Sequence, residues 1–476
     1  MPRLHRRAFL SAAAAICAAP ALAATTSPST LVDVVIIGAG AAGIAAARRI
    51  AAAGRRYVVL EAADRVGGRC VTDTRIFGVP YDLGAHWIHA PNVNPVTKLG
   101  TRRSIEVYPA PASQKVRIGR RYAREGEMED FLAAQVRADR AIVEAARKAD
   151  VACEQTLPND LGDWRPAVEF ALGPYLCGKD LEQVSALDVA RSQDREADAF
   201  CRQGFGALLA ALADGVTIKL STPALAIDSR RNVSVETANG AITARAAIVT
   251  VSTSVIASGA VKFTPDLTAS HLEMFGKLSL GSFDHVALTL ADNALGFEGD
   301  DLVFEKSAGK RTAAILANVG GTPLCLVQVA GGFGRELSAQ GEAAMVDFAA
   351  DWLANLYGAD VKKAVRRSHA TRWNHDPLTL GAFSAAAPGW QKARHMLMQP
   401  VNDTVRFAGE ALHETLWGTV GGAWESGDRA ADAVLRRLGG VKEAPVAEAS
   451  PPARPKPRTP RARQQEIGAA PGLFAR

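Results

Sequence analysis

Three closely spaced glycines have the pattern expected of a phosphate-binding turn. Gly38, Gly40 and Gly43 form a GxGxxG sequence, in which bare backbone lets main-chain amides approach a pyrophosphate. Glu61 lies 18 residues after Gly43, near the position of a carboxylate that accepts hydrogen bonds from ribose hydroxyls. Because a glutamate there disfavours a 2′-phosphate, we expect a dinucleotide other than NADP.

The elements around the glycines are those that this chemistry needs. Residues 31–37 are a nearly continuous apolar run rich in β-branched residues, typical of a strand buried on both faces of a parallel sheet. Residues 44–53 predict an alanine-rich helix that Gly54 ends, and residues 57–60 predict a second strand. This βαβ unit would direct the amino terminus of its helix at the pyrophosphate.

The rest of the body predicts further strands and a group of helices. Short strands are expected over 216–220, 224–227, 233–237 and 247–251, forming a β-meander that returns to the nucleotide domain. Residues 128–150 and 181–213 are rich in helix formers and are interpreted as helices of a second domain.

Composition and charge exclude several classes of protein. A chain of 476 residues with 48% hydrophobic and 22% charged residues is globular and long enough for one or two interleaved domains. Residues 1–30 carry a net charge of +3 and residues 441–476 carry +4, so the overall +6 leaves the body at −1. The body therefore has no basic surplus with which to attract nucleic acid.

The two ends have compositions of their own. Arg6-Arg7 precedes an uncharged, alanine-rich run that ends at Ala24, which predicts a twin-arginine export signal over residues 1–24 and hence a periplasmic protein. An ordinary Sec signal or an uncleaved anchor is the alternative. No later segment has 18 uninterrupted apolar residues, so we expect no membrane span. Residues 441–476 are basic and proline-rich and predict a disordered tail.

No metal site is expected. The five cysteines that follow the signal show no CxxC pair, and a disulfide such as one between Cys153 and Cys177 is an option in an oxidising compartment. His89, His375 and His413 are separated and lack ligand partners in the sequence.

A second glycine pair distinguishes FAD from NAD. Gly67, Gly68 and Arg69 follow soon after Glu61 and would place more amides and a guanidinium beside a long, doubly charged cofactor.

With this pair, the sequence resembles the flavin-containing amine oxidase family, which includes monoamine oxidases, polyamine oxidases, L-amino-acid oxidases and lysine-specific histone demethylases. The resemblance covers residues 31–440. Residues 81–89 are similar to the DLGxxWIHG stretch of polyamine oxidases, whose backbone and tryptophan line the flavin ring. Further similar segments are residues 372–377, 381–384, 407–410 and 418–427.

The resemblance implies a fold, a cofactor and a reaction. The fold would be α/β, with a Rossmann-like FAD-binding domain (31–110, 205–265 and 395–440) interleaved with an α+β substrate-binding domain (111–204 and 266–394). The reaction would be oxidation of an amine C–N bond by hydride transfer to flavin N5, with electrons passed to O2 or to a periplasmic acceptor. The implied cofactor-binding residues are Gly38, Gly40, Ala41, Gly43, Glu61, Ala62, Gly67, Gly68, Arg69, Gly84, Ala85, His86, Trp87, Ala224, Gly409, Glu410, Thr419 and Val420.

Departures from the family bear on the mechanism. Ala382 occupies the place of the cysteine that bonds to flavin in monoamine oxidases, which implies non-covalent FAD. Phe383 and Thr419 replace the two-tyrosine cage of those enzymes, leaving one aromatic face, although Phe383 could also be simple core packing. His285 stands where the family has a lysine that holds a water near N5; Lys277 is too far away in sequence to substitute.

The role of His285 is open at this point. It could hold the same water, act as a base tuned near neutral pH, or be a polar core residue. His89 is expected to contact substrate, and Trp373, Trp417 and Trp424 either shape the cavity or fill it.

Two other functions are open. An L-amino-acid oxidase would need an arginine aimed at the substrate carboxylate, for which Arg102, Arg103 and Arg372 are candidates. A flavin-binding protein that lost catalysis together with the lysine is the other alternative.

Overall fold

The computed structural model describes residues 30–103, 105–111, 113–192 and 197–439. The predicted export signal and the predicted tail lie outside the described residues.

The strands, in chain order, are β1 (Thr30–Ile37), β2 (Tyr57–Leu60), β3 (Thr72–Asp73), β4 (Tyr81–Asp82), β5 (Ile88–His89), β6 (Val107–Pro109), β7 (Gln114–Ile118), β8 (Arg121–Tyr122), β9 (Asp198–Cys201), β10 (Ile218–Lys219), β11 (Ala226–Asp228), β12 (Val233–Thr237), β13 (Gly240–Val249), β14 (Lys262–Thr264), β15 (Phe283–Leu290), β16 (Asp301–Glu305), β17 (Ala314–Ala317), β18 (Leu324–Ala330), β19 (Val365–Ala370) and β20 (Val405–Phe407). The α-helices are α1 (Ala41–Ala52), α2 (Pro95–Gly100), α3 (Glu125–Ala146), α4 (Arg165–Phe170), α5 (Ala186–Arg191), α6 (Phe205–Leu212), α7 (Thr253–Ala257), α8 (Ala269–Lys277), α9 (Gly331–Ala339), α10 (Glu342–Tyr357), α11 (Val361–Ala364), α12 (Ala393–Met396) and α13 (Val420–Arg437).

The first large sheet is built around the predicted βαβ unit. Its strand order in the described residues is β10-β2-β1-β13-β12-β11-β14, and β20 also pairs with β13. β1 pairs in parallel with β2 and β13, and helices α1 and α13 pack together over one face of it. Both faces of β1 are therefore buried, which explains its continuous apolar sequence.

The second large sheet contains β15, the strand that carries Phe283 and His285. Its order is β19-β15-β18-β17-β16-β7-β8. One face packs against α3 and α4, and the other against α9 and α10. Because helices cover both faces, β15, which carries His285, is buried along nearly its whole length. Two sheets built from alternating stretches of the chain confirm the predicted α/β fold class, whereas the proposed domain boundaries stay a prediction.

Two local expectations need correction. The segment 181–213 is not all helical, because Asp198–Cys201 is a strand that pairs with β5 and β6. Burial of Phe200 among aromatic rings outweighs the helical propensity of this segment. The strand expected at 247–251 instead runs over Gly240–Val249.

Cys153 and Cys177 are both buried and no disulfide joins them, so the optional pairing is not formed. Among the described residues, none of the helices has both the length and the apolar character required to cross a membrane.

Candidate active site

The glycine cradle forms at the carboxyl end of β1. Gly38 has a φ of 103°, a conformation that favours glycine. A Cβ atom on Gly43 would lie 1.9 Å from the carbonyl oxygen of Gly38, so α1 can pack on this turn only through glycine. Gly38, Gly40 and Ala41 line a long cavity, whereas Gly43 does not line it and instead fixes the helix to the turn.

Glu61 follows β2 and lines the same cavity. Its Oε2 accepts a hydrogen bond from the amide of Ala39 at 2.6 Å, and its Oε1 accepts one from the amide of Ala63 at 2.9 Å. Because an ionised carboxylate can accept about four hydrogen bonds, both oxygens retain capacity for ribose hydroxyls.

The second glycine pair closes onto the first. The Gly67 amide donates to the carbonyl of Ala39 at 2.9 Å, and Gly67 and Gly68 both have positive φ. Arg65, which the sequence reasoning missed, lines the cavity beside them and donates from Nη1 to the carbonyl of Gly68 at 2.9 Å.

Arg69 lies further along the cavity than expected. Its Nη1 donates to the carbonyl of Ala382 at 2.6 Å and to Glu410 Oε1 at 2.9 Å. The guanidinium therefore braces the opposite wall, in addition to lining the cavity.

The remaining predicted cofactor residues surround the same cavity. They are Ala62, Gly84, Ala85, His86, Trp87, Ala224, Gly409, Glu410, Thr419 and Val420.

Helix α13 begins at the cavity. The hydroxyl of Thr419 accepts from the amide of Gly422 at 2.9 Å and donates to the carbonyl of Leu416 at 2.7 Å, so this side chain is an N-cap as well as part of the wall. The preceding loop is held by His413, whose Nδ1 accepts from the amide of Leu416 at 2.9 Å. The amino terminus of an 18-residue helix supplies partial positive charge at this end.

These features fit FAD. The backbone cradle and Glu61 suit its pyrophosphate and ribose, and the α13 terminus suits the ring, on which negative charge develops. Ala382 offers only a methyl group, and burial raises the pKa of the nearby Cys70 thiol, which keeps it protonated. The residues present would therefore hold the cofactor without a covalent bond.

His285 lies in the cavity wall and is almost fully buried. Its Nδ1 donates to the carbonyl of Asp82 at 3.0 Å, which leaves Nε2 as an acceptor nitrogen. Burial is the main cause that lowers the pKa of His285 to about 4, and the nearby His86 is the second cause. The imidazole is therefore neutral at pH 7, which favours holding a water over acting as a base tuned near neutrality.

Several aromatic side chains line the cavity. Phe383, Phe283 and Tyr175 all line it, with ring centroids 5.8 Å apart for Phe383 and Phe283 and 5.7 Å apart for Phe283 and Tyr175. The replacement of the two-tyrosine cage by one aromatic face, Phe383 opposite Thr419, stays a prediction. Tyr175 adds a ring to the wall from a π-helical turn (Ala171–Tyr175) distant in sequence. Phe383 forms part of the cavity wall in addition to packing against neighbours.

The tryptophans divide between wall and core. Trp373 and Trp417 line the cavity, and the Trp373 indole donates to the carbonyl of Leu83 at 3.0 Å. Trp424 packs in a core cluster.

Two imidazole–carboxylate pairs also border the cavity. His89 Nδ1 lies 2.7 Å from Asp198 Oδ1, and His86 Nδ1 lies 2.8 Å from Asp82 Oδ2. Asp198 was missed because its partner is 109 residues away. Within the described part of the chain, no group of three or more His, Cys, Asp or Glu side chains could hold a metal ion.

Of the three arginines considered for a substrate carboxylate, the two whose side chains are described, Arg103 and Arg372, are not in the cavity wall. Arg103 pairs with Asp214 at 2.5 Å near the surface, and Arg372 donates from Nε to the carbonyl of Ser338 at 2.9 Å. The side chain of Arg102 is not among those described. Lys277 lies over the Trp390 ring at 5.6 Å, outside the cavity wall.

Comparison with known proteins places these observations in a family. Residues 41–435 match the family model described as flavin containing amine oxidoreductase. "Polyamine oxidase 2" of Arabidopsis thaliana is 28% identical over 428 residues, which covers 80% of this chain and 84% of the relative.

Solved structures show the same fold. Cyclohexylamine oxidase from Brevibacterium oxydans IH-35A has a TM-score of 0.72 at 21% identity, covering 86% of this chain and 99% of its own. Wild-type putrescine oxidase bound to putrescine has a TM-score of 0.73 at 19% identity, covering 86% of this chain and 100% of its own.

Proposed function

The chain belongs to the flavin-containing amine oxidoreductase family, and from this premise we propose that it oxidises the C–N bond of a polyamine-like or secondary amine. It is a flavin-dependent amine oxidoreductase whose cofactor is FAD. The observation that carries the choice of substrate class is the aromatic lining formed by Phe383, Phe283 and Tyr175, without any of the described candidate arginines in the wall. The similarity to a polyamine oxidase supports the same class.

When bound, FAD supplies the redox chemistry by accepting a hydride at N5 from the α-carbon of the amine, and the resulting imine hydrolyses. The protein orients the amine against its aromatic side chains and excludes water from the reacting centre. His89 contacts the substrate, with its ring fixed by Asp198. His285 holds a water through its acceptor nitrogen, in the place of the family lysine.

The electron acceptor is O2, giving H2O2, or a periplasmic redox partner reached after export through the twin-arginine signal. The loss of the lysine is the reason for considering a partner other than O2, since that lysine is linked to oxygen handling in the family.

Anaerobic reduction of the bound flavin by a panel of amines tests the proposal. We expect polyamines or secondary amines to bleach the flavin absorbance, and L-amino acids not to do so. Bleaching by L-amino acids alone would identify an amino-acid oxidase, and flavin that no amine reduces would favour the non-catalytic alternative. Reoxidation by air compared with cytochrome c then identifies the acceptor.

A further inference from the structure

The segment 382–386, which carries Phe383, is held at its backbone by charged side chains. Arg69 donates to the carbonyl of Ala382 at 2.6 Å, and Glu410 accepts from the amide of Ser384 at 3.1 Å. Alanine at three of the five positions gives the segment few side chains of its own to fix its place. Main-chain hydrogen bonds also join the Phe383 carbonyl and the Ala382 amide to Gly281, so the charged side chains act together with this backbone pairing.

The second half of the segment is held from another part of the chain. Lys179 donates from Nζ to the carbonyl of Ala385 at 2.7 Å and to Ser279 Oγ at 3.1 Å. Asp188 accepts from the amide of Ala386 at 2.8 Å. Lys179 and Asp188 are both buried, so neither contact is weakened by competing solvent.

Arg394 connects Asp188 to Ser384, and through Ser384 to Glu410. Its guanidinium and the carboxylate of Asp188 are fully buried and form two hydrogen bonds, each 2.7 Å long. Arg394 Nη1 also donates to Ser384 Oγ at 3.0 Å, and Ser384 Oγ donates to Glu410 Oε2 at 2.7 Å. The network therefore runs without a break from Arg69 in the cavity wall to Asp188.

The turn that carries Lys179 also touches the aromatic ring. A Cβ atom on Gly178 would lie 3.4 Å from Phe383 Cε2 and 3.3 Å from the Cα of Gly281. The Gly178 carbonyl accepts from the amide of Ser282 at 2.8 Å. Gly178 and Lys179 thus contact the ring and the backbone of the same wall.

We propose that Lys179 is a positioning residue for amine binding, which sets the place of Phe383 by holding the segment 382–386. The inference rests on the proposed function, because it takes Phe383 as a wall of the amine site. A buried ammonium group is a costly way to fill space. The lowering of the Lys179 pKa to about 8, chiefly by burial, expresses that cost.

The test compares Lys179→Met with Arg117→Met in the holoenzyme. Arg117 is the matched control, because it is equally buried and donates to a backbone carbonyl, but that carbonyl belongs to Leu356 and lies outside segment 382–386. The measurements are the amine Kd and the limiting rate from anaerobic flavin reduction, the visible spectrum of bound FAD, and the Tm.

For Lys179→Met we expect a roughly tenfold weaker amine Kd, a shifted flavin spectrum and a Tm that changes less than that of Arg117→Met. Arg117→Met should leave the Kd and the spectrum unchanged. In a Phe383→Ala background, Lys179→Met should have no further effect on the Kd, because it acts through the ring.

An unchanged Kd and spectrum in Lys179→Met, or an undiminished effect in the Phe383→Ala background, would overturn the inference. If Lys179→Met does not fold, Lys179→Gln, which is polar but shorter than the lysine that reaches the Ala385 carbonyl, takes its place, and the same change in Kd and spectrum is expected. If no amine reduces the wild-type flavin, the proposed function fails, and the spectrum alone decides the positioning role.

Discussion

The two ends of the cavity are held in place by different kinds of group. At the cradle, close contacts between main-chain atoms of residues 38–68 are permitted by glycine, and the side chains of Glu61 and Arg65 add bonds from within the same stretch. At the wall formed by segment 382–386, charged side chains from distant parts of the chain add to the main-chain bonds with Gly281 and Ser185. The cradle therefore depends on the absence of side chains, and the wall depends on buried charges.

This difference determines which substitutions each end tolerates. The cradle should tolerate substitutions at many neighbouring positions, but not a side chain at Gly43, where the two backbone segments come closest. The charge network at the wall should tolerate side chains of different size at its edge. It should not tolerate the removal of one charged partner, because the other charge is then buried alone.

The largest effect is expected for Gly43→Ala. Because the new Cβ would lie 1.9 Å from the Gly38 carbonyl oxygen, α1 must move away from β1. We expect the loss of more than about 5 kcal/mol of folding free energy and little retained FAD, measured by urea unfolding and flavin absorbance. Gly276→Ala is the control, since its helical site has open space. A yellow, stable Gly43→Ala protein would contradict the cradle geometry.

The wall has its own test in Asp188→Ala. Removing this carboxylate leaves the Arg394 guanidinium buried without its counter-ion, which costs about 3–5 kcal/mol. Urea unfolding measures this cost. The exposed pair of Asp360 and Lys363 provides the comparison, and Asp360→Ala should change stability by less than about 1 kcal/mol. Equal losses of folding free energy for Asp188→Ala and Asp360→Ala would show that burial does not determine how much the Asp188 pair contributes to stability.

The same contrast explains what the sequence could predict. The cradle was predictable because its glycines, strand and helix are adjacent in sequence and the backbone performs the function. Asp188 and Arg394 are 206 residues apart, and neither belongs to a recognisable motif. Phe283 was within the stretch that identified His285, and alternation along β15 places both on one face, a signal that could have found it.

A third test concerns acid stability through His285. Between pH 6.5 and about 4 the folded state binds fewer protons at this group than the unfolded state, so stability is lost as the pH falls. At about 1.4 kcal/mol per pH unit, wild type should lose about 3 kcal/mol more than His285→Gln over this range.

Unfolding at a series of pH values measures this difference. The neighbouring Asp284, whose pKa burial raises to about 6, is present in both proteins and so cancels from the comparison. Parallel pH curves for the two proteins would mean that His285 is not buried in its neutral form.

The smallest effect is expected at Thr419, where the α13 terminus reaches the cavity. Thr419→Ala removes the acceptor for the Gly422 amide and should cost about 1 kcal/mol, whereas Thr419→Ser keeps the hydroxyl and should cost less. Since this cap is a side-chain contact that orients backbone amides, it combines the two kinds of support. We therefore expect Thr419→Ala to lower both the Tm and the FAD affinity. A lower Tm with unchanged FAD affinity would mean that the amino terminus of α13 does not contribute to FAD binding.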